Sequence, residues 1–389
     1  MIHLRAITLA LPILTGAIAV LPDAATAGEA CGGGRIAVGG TCTETAQVAA
    51  EIRDLVGRTI ERDDLNAVIL SVSVGDTPVL TEAWGESLAG VAATPDMHFR
   101  NGAIAIPYLT TLLLQLHDEQ VLDLEDRLAE WFPDYPAADR ITLRMLADNT
   151  AGYADYVYDI PIYDDVFRQW APGELVAVAL GKPMPCEPGA CFSYSHANYV
   201  ILGEILARAA GKPVEALIRE RILDPLQLAD TRSEDTAAIQ LPVLHAFTAE
   251  RGIREDSTYW NPSWTLAKGA VMTTDVGDAL ASIVAIGSGR LVSPESHRQM
   301  LAPTTAGFPG MSAETYYALG VVVTNGWVAQ TPSFGGYSAT VAYLPDRRLG
   351  VAVTTTMGRD PAEGRFTNRL ANGIAALLAP DQPPRLPEG

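Results

Sequence analysis

The sequence predicts an α+β fold, an antiparallel sheet flanked by helices with an all-helical lobe inserted into it. Three observations predict it. A helix and a strand pair open the chain, helical segments broken by Pro and Gly fill its middle, and strands followed by a helix close it. When strands from both chain ends build one sheet and the helices lie between them, the arrangement is α+β.

Glu44 to Arg62 reads as the first helix, because Val48, Ile52, Leu55, Val56 and Ile60 fall on one stripe at helical spacing. Ala67 to Val74 is rich in Val and Ile, Gly75-Asp76 makes a turn, and Val79 to Trp84 returns as a second strand. Pro107 to Gln120 is an apolar helix carrying Leu109, Leu112, Leu113 and Leu116. A proline suits its start, since the first turn has no backbone donor to lose. Tyr199 to Ala210 is the clearest helix of the middle and stops at Gly211. Tyr317 to Thr324, Tyr337 to Leu344 and Leu349 to Thr356 read as strands, with Pro345 to Arg348 as the hairpin between the last two. Phe366 to Leu378 is the closing helix, and the Pro-rich residues 380–389 are expected to be a disordered tail.

Met1 to Arg5 is short and basic, Ala6 to Leu21 is mostly apolar, and Ala25-Thr26-Ala27 offers small residues for cleavage. Residues 1–27 therefore read as a secretory signal peptide, since the apolar run falls short of the ~20 residues of a spanning helix. The expected location is secreted or extracytoplasmic, with no integral membrane segment after cleavage. Residues 28–45 form an N-terminal extension with a Cys pair. One domain, residues 46–379, follows, with a sheet lobe at 46–98 and 310–379 and a helical lobe at 99–309. A cleft between the two lobes is the default site.

The formal net charge of −19 argues against nucleic acid, whose binding needs Lys and Arg to neutralise phosphates. Four cysteines, Cys31, Cys42, Cys186 and Cys191, fit an exported protein. They permit three pairings, of which 31–42 and 186–191 close the simplest local loops. No His clusters near either pair, and neither a phosphate loop nor a dinucleotide fingerprint occurs. No metal and no cofactor are expected, and a small molecule or peptide is the expected kind of ligand.

Phe99-Arg100-Asn101-Gly102-Ala103-Ile104-Ala105-Ile106 precedes a helix that ends in Leu114-Gln115-Leu116. Downstream come Ile141-Thr142-Leu143-Arg144-Met145-Leu146 with Thr150-Ala151-Gly152, Phe192-Ser193-Tyr194-Ser195, and Asn198-Tyr199 with Leu202-Gly203. Gly336-Tyr337-Ser338 and Leu344-Pro345-Asp346 complete the series. On these residues the chain resembles the serine β-lactamase and penicillin-binding protein superfamily, in its class C β-lactamase, D-Ala-D-Ala carboxypeptidase and esterase branch. The resemblance spans about 45 to 379 and implies a β-lactamase/transpeptidase-like fold.

It also implies three catalytic motifs, and each is degraded. The first, Ser-x-x-Lys, sets a nucleophile one helical turn from an amine that takes its proton. Here Ala103 and Ile106 stand in those places, so neither attack nor proton transfer is available. Pro107 disfavours helical angles at the residue before it, and the turn is expected to be remodelled. The second, Tyr-x-Asn, keeps Tyr194 but has His196 in place of Asn. The third, a strand-borne Lys/His-Thr/Ser-Gly, reads Gln330-Thr331-Pro332, an amide for the cation and a proline where a backbone donor is wanted. Ala103, Ile106, Tyr194, His196, Gln330 and Thr331 are thus expected to line a cleft as degenerate motif positions, with no catalytic residue among them.

Displaced solutions are weak. Thr265-Leu266-Ala267-Lys268 has the hydroxyl-to-lysine spacing, yet chance accounts for it; Ser195-His196 are neighbours with no orienting acid implied. His98, His117, His245 and His297 are scattered. Tyr153 to Asp165 mixes Asp155, Asp159, Asp164 and Asp165 with tyrosines, which suits either a cation or, more simply, a solvated loop on the cleft rim. The expected function is an exported, catalytically inactive homologue that binds cell-envelope peptides or similar small ligands. The alternative is an active serine hydrolase, of esterase, D-Ala-D-Ala carboxypeptidase or β-lactamase type, using a non-standard nucleophile.

Overall fold

The computed structural model describes residues 31–233, 236–361 and 363–388. The expected signal peptide lies outside the described residues.

A hairpin of Arg35–Val38 against Thr41–Glu44, tied by the Cys31–Cys42 disulfide, leads into helix α1 (Thr45–Asp63). Val48, Ile52 and Val56 of its stripe are buried. Strands β1 (Leu65–Val74) and β2 (Thr77–Leu88) follow. Helix α2 (Ile106–Asp118) and helix α3 (His196–Ala210) belong to the long insert, which the Cys186–Cys191 disulfide also closes locally. Helix α4 (Val276–Gly287), late in the insert, packs back on the sheet. The C-terminal part supplies β3 (Thr315–Tyr317), β4 (Val322–Thr324), β5 (Trp327–Gln330), β6 (Tyr337–Leu344), β7 (Leu349–Met357) and helix α5 (Phe366–Leu378).

The strand order is β3-β4-β5-β6-β7-β1-β2, and every neighbouring pair is antiparallel. The two chain ends therefore meet where β7 lies beside β1, with Val351 opposite Val72. Successive residues of a strand point to opposite faces. Val68, Leu70 and Val72 of β1, with Val351 and Val353 of β7, join the core under α1 and α5. Ala67, Ile69 and Ala352 join the other core, shared with α2, α3 and α4. Both faces of the central strands are covered, which is why they read as continuous apolar runs.

Two expectations need correction. The single strand expected at Tyr317 to Thr324 is split into β3 and β4 by a turn in which Ala318 N–H donates to Val321 C=O at 2.8 Å. Gly320 sits in that turn at φ +74°, and a Cβ there would lie 2.6 Å from the Thr110 side chain of α2. The tail is not disordered as far as residue 388. Trp327 Nε1–H donates to Gln382 C=O at 2.7 Å, and the side-chain amides of Asn368 and Asn372 donate to Pro387 C=O at 2.7 Å and Leu386 C=O at 2.9 Å. Side chains of the folded body satisfy its backbone, so its composition does not free it. No helix among the described residues is long and apolar enough to cross a membrane.

Candidate functional site

A cavity of about 730 Å³ opens between the head of α2, the start of α3, the 153–166 segment and the end of β5. Ala103, Tyr194, His196, Gln330 and Thr331 line it together. Five of the six motif positions thus converge. Ile106 does not; its side chain is fully buried in the helix-side core.

Ala103 lies in a 3-10 turn, Gly102–Ala105, that runs straight into α2. The remodelling expected from Pro107 does not fall on Ile106, which keeps helical angles of φ −62° and ψ −48°. The unusual residue is Gly102, at φ +48°, where a Cβ would meet Pro332 Cβ at 2.7 Å. The proline of the third motif and the glycine of the first therefore fit each other. Thr331 and Pro332 also interrupt the sheet edge between β5 and the two-residue strand Ser333–Phe334.

Gln330 is buried, and its Nε2 donates to Gly320 C=O at 2.6 Å and reaches Tyr317 Oη at 3.5 Å. That amide is spent on holding the β3–β4 turn. Tyr317 Oη shares a 2.7 Å hydrogen bond with Tyr199 Oη, which accepts from Asn149 Nδ2 at 2.7 Å. Asn149 Oδ1 in turn accepts from the Ser195 amide at 3.0 Å. This buried chain of partners fixes the wall behind Tyr194. Burial pushes the Tyr317 phenol up to about 12 and the Tyr194 phenol well above its ordinary value. Tyr194 stays protonated at neutral pH, so its phenol keeps an O–H to donate.

His196 is the first residue of α3, and its Nδ1 lies 2.9 Å from Asp155 Oδ2. Asp155 Oδ1 accepts the backbone N–H of Val157 at 3.2 Å and of His196 at 3.4 Å. Burial would raise this carboxyl, but the His196 hydrogen bond and the backbone donors hold it below its usual value. The ionised carboxylate takes a proton on Nδ1, which leaves Nε2 as the acceptor nitrogen of the neutral ring. Tyr194 packs edge-on against the imidazole, with ring centroids 5.2 Å apart. Sequence reasoning found no orienting acid for His196; the structure supplies one. Asp155 stood out only as part of an acidic, aromatic stretch, and nothing in that spacing reaches across to residue 196.

The displaced nucleophiles remain unusable. Ser195 is fully buried and its Oγ donates to Ala154 C=O at 2.9 Å. Thr265 Oγ1 donates to Pro262 C=O at 2.7 Å, while Lys268 is exposed and lines a separate pocket with Gln169 and Trp170. The other histidines are engaged elsewhere. His98 meets Asp230 at 3.3 Å, His117 meets Asp123 at 3.6 Å, His245 meets Asp256 at 2.8 Å, and His297 meets Gly287 C=O at 3.0 Å. In the 153–165 segment Asp159 pairs with Lys182 and Tyr163 donates to Glu250 at 3.1 Å. Among the described residues no group of three or more His, Cys, Asp or Glu is placed to hold a metal ion.

A family model described as Beta-lactamase matches residues 52–376, which is most of the chain. The chain belongs to the beta-lactamase family. Among curated relatives of this beta-lactamase family member, penicillin-binding protein 4 of Amycolatopsis lactamdurans is 30% identical over 169 residues, 42% of this chain and 43% of that protein. A putative penicillin-binding protein of Bacillus subtilis (strain 168), PbpX, is 23% identical over 283 residues, 71% of this chain and 66% of that one. The match thus spans less than half of the Amycolatopsis protein. Of solved structures, a D-amino acid amidase from Ochrobactrum anthropi SV3, complexed with L-phenylalanine amide, superimposes with a TM-score of 0.76 at 21% identity, covering 86% of this chain and 99% of that one. EstCE1, a hydrolase with promiscuous acyltransferase activity, does so with a TM-score of 0.69 at 17% identity, covering 85% and 99%. At these identities the two structures speak for the beta-lactamase fold alone.

Proposed function

We propose that this chain is an exported beta-lactamase family protein that has lost acyl-enzyme chemistry and whose cleft binds cell-envelope peptides or similar small ligands. One observation carries the reading. The residue facing the cavity at the nucleophile position is Ala103, and the lysine position holds Ile106, fully buried and outside the cavity. Removing a serine nucleophile costs ~10⁶ in kcat in a protease studied by mutagenesis. That is about 8 kcal/mol of barrier. Tyr194, with its phenol held protonated, offers no base in exchange. The paired cysteines support export, since disulfides persist in oxidising compartments.

Microcalorimetry with muropeptides tests the ligand. Saturable heat with a stem peptide is the expected result, and silence with every stem peptide would remove this ligand class. A second reading, hydrolysis without the family's serine, is favoured by the Asp155–His196 pair.

A further inference from the structure

We infer that Asp155 and His196 form a proton-transfer dyad that activates water directly for hydrolysis of uncharged aromatic esters in the cleft. The inference goes beyond the binding reading and shares with it only the absence of an acyl-enzyme.

Three features of the cavity carry it. First, the dyad has the geometry of a positioned base. Asp155 holds Nδ1 at 2.9 Å and two backbone amides hold Asp155, so the ring is fixed from behind. His196 lines the cavity, and no partner for its Nε2 occurs among the described residues. Second, Ala103 lines the same cavity at the head of the helical run from Gly102 to Asp118, and its amide makes no backbone hydrogen bond among the described residues. The N-terminal end of a helical run favours negative charge, as develops on a carbonyl oxygen under attack. Third, the walls are aromatic. Phe192, Trp260, Trp264 and Phe334 contribute, with Trp264 stacked on Phe334 at 5.6 Å. Gln330 is neutral and spent on Gly320, so the motif position gives no cation for a carboxylate. Among the described residues lining the cavity, the acids Asp155 and Glu250 outnumber the one cationic residue, Arg365, so this charge balance and the aromatic walls favour an uncharged aromatic ester.

The step balances without a covalent intermediate. Nε2 takes a proton from water as the water oxygen bonds to the acyl carbon, and the carbonyl electron pair moves to oxygen. The tetrahedral oxyanion collapses, breaking the bond between the acyl carbon and the alcohol oxygen. The departing oxygen takes the proton from Nε2, giving a carboxylic acid and an alcohol. His196 is the catalytic residue and Asp155 a positioning residue. Asp155, Tyr156 and Tyr194 contact the imidazole, while Tyr158, Tyr163, Glu250, Tyr316, Tyr317, Tyr337 and Arg365 are the other charged or titratable groups lining the cavity.

The test is hydrolysis of 4-nitrophenyl phenylacetate by the folded protein, with its pH profile and the intact mass during turnover. Saturable turnover, a limb that rises with pH as general-base assistance requires, and an unmodified mass are expected. General-base assistance contributes about 10²–10⁴-fold. His196→Gln is therefore expected to lower kcat by about 10²-fold or more, and His196→Ala to recover activity with added imidazole. Asp155→Asn should lower kcat and displace the pH limb with little change in KM. If His196→Gln disturbs folding, imidazole rescue of a folded His196→Ala decides. Turnover unchanged in folded His196 variants, or no turnover above free imidazole, overturns the dyad. An acyl adduct overturns the absence of an acyl-enzyme as well, which separates the two failures.

Discussion

Asp155 and His196 stand 41 residues apart in sequence, yet their side chains meet at 2.9 Å on the wall of the cleft. Asp155 is held below its usual value, so it stabilises the fold above its unfolded value of 3.8. That stability is lost as pH falls through the lower folded value. Asp155→Asn is expected to lower the urea unfolding free energy by about 1–3 kcal/mol at pH 7. The gap to wild type should close below pH 3.8. Urea melts of both proteins at several pH values check it.

Asp278, in α4, has the opposite sign. Burial, with Asp275 nearby, pushes its carboxyl from 3.8 up to about 6. The folded state binds the extra proton between those values, so stability from this group falls as pH rises from 3.8 to about 6. Its Oδ2 accepts from the Asp230 amide at 2.9 Å and Thr231 Oγ1 at 3.0 Å, contacts that an asparagine oxygen keeps. Asp278→Asn is expected to raise Tm at pH 7 by a few degrees and to give no gain at pH 4. Calorimetric scans at the two pH values measure it.

Gly102 is required twice, by its φ of +48° and by Pro332. Gly102→Ala is expected to cost about 1–2 kcal/mol for the left-handed backbone alone. The contact with Pro332 adds to that. A Gly102→Ala, Pro332→Gly double variant recovers the contact part but not the backbone part. Chemical denaturation of the single and double variants separates them.

Restoring the missing motif residues does not restore the chemistry. In Ala103→Ser with Ile106→Lys, the new ammonium enters a fully buried apolar site away from the cavity. An unpaired buried charge costs about 3–5 kcal/mol. The double variant is expected to be less stable by about that amount and to take no label from fluorescent penicillin. Gel fluorescence and urea melts read both outcomes.

The fold was legible because its elements carry strong local patterns. α5 begins and ends where apolar spacing places it, at Phe366 and Leu378, and α1 is within one residue of its expected span at each end. The β3–β4 turn was not legible, since Ala318-Leu319-Gly320-Val321 is apolar and the contacts that hold the bend, Gly320 against Thr110 and Gln330 on the Gly320 carbonyl, come from elsewhere in the chain. The ordered tail was hidden for a similar reason, because Asn368 and Asn372 capture it from another element. In the site, the motif positions were legible as residues at fixed offsets. What each side chain does was not. Gln330 turns to Gly320, Ile106 turns into the core, and Asp155 turns to His196, and each of these depends on contacts distant in sequence.

The most direct measurement is intact mass after incubation with a fluorophosphonate and with a labelled penicillin. With a methyl at position 103 and no usable hydroxyl at Ser195 or Thr265, the mass should remain that of the free protein with both reagents. A stoichiometric adduct on any side chain lining the cleft would contradict the account.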